Sequence, residues 1–339
     1  MRCRCSPPAS PTGEPPKGSL SRILLVATPK QQRIDPRRVV PPAAKVKKAT
    51  ARDWIGGARL RTLPLSIAPV VVGSGAAHVG ATAGEWHWVR ALLALAVAVC
   101  LQIGVNYAND YSDGIRGTDR FRVGPPRLTG AGRARPSTVL AVAVAFFGLA
   151  AIAGVLLVIA TQLWWLLAVG AASIVAAYFY TGGKRPYGYA GLGELFVFVF
   201  FGLVATAGTT YTQLGTVNFE SWVAGVCMGL IACAVLMANN IRDIAQDAVA
   251  GKKTLAVRLG DRAARISYVV LLLLPFVLLA IFVYFYPNAY LTYFVLLIAL
   301  PASLITLTAK TPQELILALQ LTSATALAFA VLLGFALAF

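Results

Sequence analysis

From about residue 50 to the end, the chain alternates between apolar runs and short polar loops. The runs lie near 54–79, 88–112, 137–160, 163–181, 191–212, 221–242, 265–286, 288–308 and 313–338. Each approaches the roughly 20 residues that a helix needs to cross about 30 Å of hydrocarbon. The pattern predicts an all-α fold, a polytopic membrane helical bundle of about nine transmembrane helices. Pro64, Pro69, Pro275 and Pro301 fall inside the runs, where neighbouring helices can satisfy the carbonyls that a proline frees.

Residues 1–50 follow another rule. They are rich in Pro, Ser and Arg and hold no sustained apolar period, the composition of a disordered basic tail that cannot bury enough surface to fold. The brief apolar stretch at 23–27 is shorter than the core of a secretory signal. A dispensable cytoplasmic tail, a transit peptide and an over-extended start all fit these residues. The expected division is therefore a tail at 1–50 and a membrane domain at 51–339.

Composition supports the bilayer as solvent. Of 339 residues, 58% are hydrophobic and 13% charged, against about 25% charged in soluble domains. The formal charge of +17 would suit a nucleic-acid binder, but its distribution argues against a nucleic-acid partner. Arg116, Arg120, Arg122, Arg127, Arg133 and Arg135 follow the second run, Lys184 and Arg185 the fourth, Lys252, Lys253, Arg258, Arg262 and Arg265 the sixth, and Lys310 the eighth. The intervening loops carry almost no positive charge. Basic loops mark the cytoplasmic side, so the N-terminus is expected in the cytoplasm of a cell-membrane protein and the C-terminus outside. An odd number of spans satisfies both ends.

Two segments interrupt the apolar pattern with carboxylates, both at cytoplasmic ends of spans. One is 106–119 (NYANDYSDGIRGTD) and the other 239–247 (NNIRDIAQD). In helical form Asn106, Asn109 or Asp110, and Asp113 share one face, and Asn239, Asp243 and Asp247 share another. Carboxylates beside hydrocarbon are costly, at about 2.5–3.5 kcal/mol each on insertion scales. Hard divalent cations offset that cost and suit oxygen-only ligands. Mg²⁺ uses one or two carboxylates and completes its shell with phosphate oxygens, so facing Asp clusters can hold a Mg²⁺–diphosphate. Arg116, Lys184, Arg242, Lys252 and Lys253 supply cations for such phosphates. No His or Cys cluster has zinc spacing. Cys100, Cys227 and Cys233 lie within apolar runs as small hydrophobes, and Cys3 and Cys5 lie in the tail.

The pair Asn109-Asp110-x-x-Asp113 and Asp243-x-x-x-Asp247 resembles the UbiA superfamily of intramembrane prenyltransferases. Within it, 57–64 (GARLRTLP), 104–119 (GVNYANDYSDGIRGTD), 180–190 (YTGGKRPYGYA) and 253–261 (KTLAVRLGD) are similar to the 1,4-dihydroxy-2-naphthoate polyprenyltransferase branch, especially its actinobacterial form. The resemblance covers about 50–339. It implies a nine-helix bundle that uses Mg²⁺ to ionise a polyprenyl diphosphate and joins the chain to 1,4-dihydroxy-2-naphthoate, with loss of diphosphate and CO₂ to give demethylmenaquinone. The first motif of that family often continues to another Asp four residues on; here Gly117 holds that place and Asp119 comes two later. The first place of the second motif is Asn239. Asp113, Asp243 and Asp247 therefore rank above Asp119 and Asn239 as metal–diphosphate contacts.

The resemblance thus implies catalytic roles for Asp110, Asp113, Asp243 and Asp247, and metal ligation by Asn109, Asp113, Asp243 and Asp247. An anionic acceptor needs a cation, and Arg59 or Arg61 is expected to supply it, with Asn106 and Tyr180 beside the ring. Tyr107, Tyr111, Tyr178, Tyr180, Phe198 and Phe201 are candidate π walls for a carbocation-like allyl group. Other acceptors on the same fold (4-hydroxybenzoate, homogentisate, a haem or a phosphoribose) remain alternatives, as does a secondary transporter, for which Glu194 is an isolated intramembrane carboxylate. Transporters place such charges near the midplane, whereas these gather at one leaflet.

Overall fold

A computed structural model describes residues 48–82, 86–118 and 127–339, all within one compact unit, Val46–Phe339. Asp119, Arg120, Arg122 and the 1–47 part of the tail lie outside the described residues. The described elements are helical. They run α1 (Ala51–Gly57), a 3₁₀ turn (Leu60–Thr62), α2 (Pro64–Gly80), α3 (Trp88–Arg116), α4 (Pro136–Thr161), α5 (Leu166–Phe179), a 3₁₀ turn (Tyr187–Ala190), α6 (Gly193–Val197), a π-helical segment (Phe198–Val204), α7 (Ala205–Leu214), α8 (Phe219–Val249), α9 (Leu255–Leu259), α10 (Asp261–Phe285), a 3₁₀ stretch (Pro287–Val295), α11 (Leu296–Thr308) and α12 (Pro312–Ala338).

Every expected apolar run coincides with one of these elements or with adjoining ones. Among the described residues, seven helical spans are long and apolar enough to cross a membrane, and a pair bent by 45° at Leu63 makes up to eight. The ninth expected span is the difference. It is α5, 14 residues long, which at about 1.5 Å per residue falls short of the hydrocarbon thickness. The bend before α2 places Pro64 at the first helical position, where its missing N–H costs nothing. The outward faces of α4, α10 and α11 expose Leu149, Ile152, Val277 and Leu297. Apolar side chains on an outer surface are what lipid requires and water would penalise.

Helix α8 is the centre of the unit, packed against α2, α10, α12 and the π segment. Small residues allow the close crossings. A Cβ on Gly75 would lie 2.4 Å from the Gly334 carbonyl oxygen, and one on Gly202 would lie 2.6 Å from the Gly225 oxygen. At the end opposite the carboxylate motifs, Arg90 donates to the carbonyls of Thr212 and Gln213 at 3.2 Å and of Ala160 at 3.3 Å. One guanidinium thereby satisfies the negative C-terminal ends of α4 and α7, which accounts for a cation on the leaflet that is otherwise poor in them.

Candidate active site

The last turns of α3 and α8 converge on one cavity of about 540 Å³. Asn106, Asn109 and Asp113 line it from α3; Asn239, Asn240, Asp243, Gln246 and Asp247 line it from α8. The walls below are apolar and come from α3, α4, α5 and the π segment. The cavity thus has a polar head at the loop end of the bundle and a long greasy body.

Lys252 joins the two motifs. A left-handed Gly251 (φ 75°) turns the chain back after α8, and the Lys252 amide donates to the Asp247 carbonyl at 2.8 Å. Its ammonium then sits 3.2 Å from Asp113 Oδ1 and 3.9 Å from Asp247 Oδ1. It also lies 4.6 Å from the centroid of the Tyr189 ring. Asp113 receives two more partners, Arg127 at 3.2 Å and the Tyr189 hydroxyl, which donates at 2.5 Å. Burial first, and the Asp113 charge second, push the Tyr189 phenol above its usual range, so it stays protonated and holds the carboxylate by donating to it. Asp243 is gripped by Arg242 through two bonds of 2.7 and 2.6 Å, and the same guanidinium donates to Asn239 Oδ1 at 2.8 Å. Thr181 donates to Asn109 Oδ1 at 2.7 Å.

Asp110 behaves differently from its neighbours. The helix rotates about 100° per residue, so Asn109 and Asp110 cannot both face the direction of Asp113 equally. Asn109 takes the cavity. Asp110 faces the 127–134 loop and accepts from the amides of Leu128 at 2.9 Å and Thr129 at 2.8 Å. Both its oxygens are used to hold the loop that carries Arg127, and Asp110 is absent from the cavity wall.

The expected cations divide in the same way. Lys252 reaches the site. Arg116 donates to the carbonyls of Thr181 and Gly183 and so pins the loop after α5. Arg242 holds Asp243 and Asn239 in place rather than lining the cavity. Lys184 and Lys253 are exposed outside the cavity. Arg59 lines the cavity from a left-handed turn (φ 54°), an uncommon conformation for a bulky residue, whereas Arg61 is exposed. Asn106 and Tyr180 both line the cavity.

Of the aromatic residues named from sequence, Tyr180 and Phe201 form walls; Tyr107, Tyr111, Tyr178 and Phe198 do not. Tyr107 instead donates to the Trp54 carbonyl at 2.6 Å. A ladder of rings continues from Tyr180 to Tyr187 (5.5 Å between centroids), Phe196 (4.0 Å) and Phe200 (6.2 Å). Phe200 and Phe201 belong to the π segment, a rare geometry often found at functional sites. Arg127, Tyr189, Gln102 and Gln246 also belong to the site. The first two sit in the basic loop and in the 180–190 stretch, where their residue types were the only signal. Glu194 is buried and accepts from Asn240 at 3.0 Å, which makes it a support for α8.

The donor set fits Mg²⁺ in company with phosphate. It consists of oxygens, and the Lys252 ammonium between two carboxylates already marks a place for positive charge. Among the described residues no group of three His, Cys, Asp or Glu is placed to hold a metal unaided, so phosphate oxygens would have to complete the shell.

The UbiA prenyltransferase family profile matches residues 66–315. The chain belongs to this UbiA family. It is 56% identical over 220 residues to a 1,4-dihydroxy-2-naphthoate octaprenyltransferase of Mycobacterium tuberculosis, covering 65% of this chain and 74% of that protein. It is 40% identical over 236 residues to the Escherichia coli protein of the same name, covering 68% and 75%. The fold is similar to that of an apo UbiA homolog from Aeropyrum pernix, with TM-score 0.61 and 16% identity over 78% of this chain and 94% of that one. It is also similar to a UbiA homolog from Archaeoglobus fulgidus bound to GPP and Mg²⁺, with TM-score 0.54 and 16% identity over 84% and 99%. This UbiA protein is accordingly a multi-pass membrane enzyme.

Proposed function

We propose that this UbiA enzyme transfers a polyprenyl chain from polyprenyl diphosphate to 1,4-dihydroxy-2-naphthoate in menaquinone biosynthesis. The observation that carries the reading is the meeting of two carboxylate-bearing helix ends, bridged by Lys252, at the head of an apolar, aromatic-walled cavity. The relatives named for this transfer support it. Residues 51–339 carry the activity, and residues 1–50 are dispensable for it. The loop-charge asymmetry supports an N-terminus and active site on the cytoplasmic side and a C-terminus outside.

In this reading Asn109, Asp113, Asp243 and Asp247 would hold Mg²⁺ together with the substrate diphosphate. The bound ion would supply charge neutralisation at the departing diphosphate. Lys252 and Arg127 add charge stabilisation from the protein at the same place. The allylic C–O bond breaks with its electron pair on the diphosphate oxygen. The ladder from Tyr180 to Phe200 offers π faces to the developing cation and keeps water away. Arg59 grips the acceptor carboxylate and Asn106 its adjacent hydroxyl. The ring carbon bearing the carboxylate bonds to the allylic carbon, and CO₂ leaves its electron pair to the ring. The product is the quinol form of demethylmenaquinone.

The test is to incubate purified protein with 1,4-dihydroxy-2-naphthoate, or with 4-hydroxybenzoate or homogentisate, and a set of polyprenyl diphosphates, with Mg²⁺ or EDTA. The expected result is prenylation of the naphthoate alone, lost in EDTA and lowered at least about a hundredfold by Asp113→Ala or Asp243→Ala. Transfer to another acceptor, or full activity in either variant, would overturn the assignment.

A further inference from the structure

The polar lining of the cavity continues beyond the carboxylates. Asp113, Asn109, Asn106 and Gln102 occupy successive turns on one face of α3, and all four line the cavity. Asn106 and Gln102 lie about 10 and 16 Å along the helix from Asp113. Both are more than nine-tenths buried, at 4% and 7% exposed. Uncharged amides at that depth are costly unless something pairs with them.

One N–H of each amide is committed, which fixes which way the amide faces. Asn106 Nδ2 donates to the Ala58 carbonyl at 2.9 Å, and a carbonyl can only accept, so the amide has one orientation. Gln102 Nε2 donates to Thr62 Oγ1 at 3.5 Å, and Thr62 gives its only hydroxyl proton to the Arg59 carbonyl at 3.0 Å. Thr62 can therefore only accept from Gln102. The amide oxygens of both residues are left over: no hydrogen bond among the described residues is made to either, and neither is an enclosed, unpartnered atom, so both open onto the cavity. Two acceptors that face the cavity thus stand one helical turn apart, with Cβ atoms about 5–6 Å from each other. An aromatic ring carrying hydroxyls at opposite ends can reach both from within the cavity. Arg59 lines the same cavity, on the turn that these two amides hold.

We propose that Gln102 is a specificity-determining residue whose side-chain oxygen accepts a hydrogen bond from the acceptor's second, para hydroxyl. The inference rests on the naphthoate reading above and adds the reason for a 1,4-dihydroxy ring. An acid with a single hydroxyl satisfies Asn106 and Arg59 and leaves the Gln102 oxygen unpaired. Sites built to bond a hydroxyl reject analogues that lack it for this reason.

The experiment compares 1,4-dihydroxy-2-naphthoate as substrate with 1-hydroxy-2-naphthoate as competitive inhibitor, in wild type and in Gln102→Met. Wild type is expected to bind the dihydroxy acid about tenfold more tightly, the worth of one good hydrogen bond. In Gln102→Met the KM for the dihydroxy acid rises by about the same factor while the inhibition constant of the monohydroxy acid stays within about twofold. A parallel rise in both constants would mean that Gln102 serves only to hold the Arg59 turn, and would overturn the proposal. So would equal affinity of wild type for the two acids, a measurement that needs no variant. Absence of any transfer to the dihydroxy acid in wild type would instead refute the naphthoate reading, so the two failures are distinct.

Discussion

Replacing Lys252 with Met removes the only ammonium that the described structure places between the two motifs, while keeping the length and flexibility of the side chain. With an effective dielectric of about 20, contacts of 3.2 and 3.9 Å correspond to gross attractions of about 5 and about 4 kcal/mol. Desolvation of the partners takes back most of that, and charge-assisted hydrogen bonds are worth about 1.5–3 kcal/mol net. Without metal, Asp113 and Asp247 then face each other with less compensation. Thermal unfolding of the detergent-solubilised protein in EDTA should fall by about 4–8 °C, at about 2–4 °C per kcal/mol. Saturating Mg²⁺ with a non-reacting prenyl diphosphate analogue should narrow that gap, because positive charge returns to the same carboxylates. The KM for polyprenyl diphosphate should rise about tenfold or more, and Lys252→Arg should restore much of both losses. An EDTA unfolding temperature equal to that of wild type, together with an unchanged KM, would refute the reasoning.

Arg59→Ala should raise the acceptor KM about 10–100-fold, the worth of a charge-assisted hydrogen bond, and leave the KM for polyprenyl diphosphate unaltered. Arg61→Ala, at an exposed position, should change either constant by less than about twofold; the reverse pattern in steady-state kinetics would exchange their roles. Asp110→Ala strands two backbone amides now bonded at 2.9 and 2.8 Å, an expected loss of about 3–6 kcal/mol. Asp110→Asn should lose less, and a normally stable Asp110→Ala that fails only in Mg²⁺-dependent transfer would return this residue to the metal site. Gly75→Leu must push against the Gly334 carbonyl 2.4 Å from its Cβ and should destabilise the α2–α12 crossing by about 3 kcal/mol, read as a lower unfolding temperature; an unchanged temperature would show that the crossing can open freely.

Much of this protein is determined by one-dimensional pattern. Apolar runs long enough for hydrocarbon leave the backbone little choice but helix, since lipid offers no partner for a free N–H or carbonyl. Helical spacing likewise put Asp113 with Asn109, and Asp243 with Asp247, before any packing was known. The tertiary structure decided what spacing cannot express. It turned Asp110 to the amides of Leu128 and Thr129, sent Arg116 to the carbonyls of Thr181 and Gly183, and left Lys184 and Lys253 outside the cavity. It also brought Arg127, Tyr189 and Lys252 from separate loops onto the single carboxylate of Asp113. A residue's charge and helical phase are local properties of the chain. Which partner claims that charge depends on loops that meet only after the helices have packed.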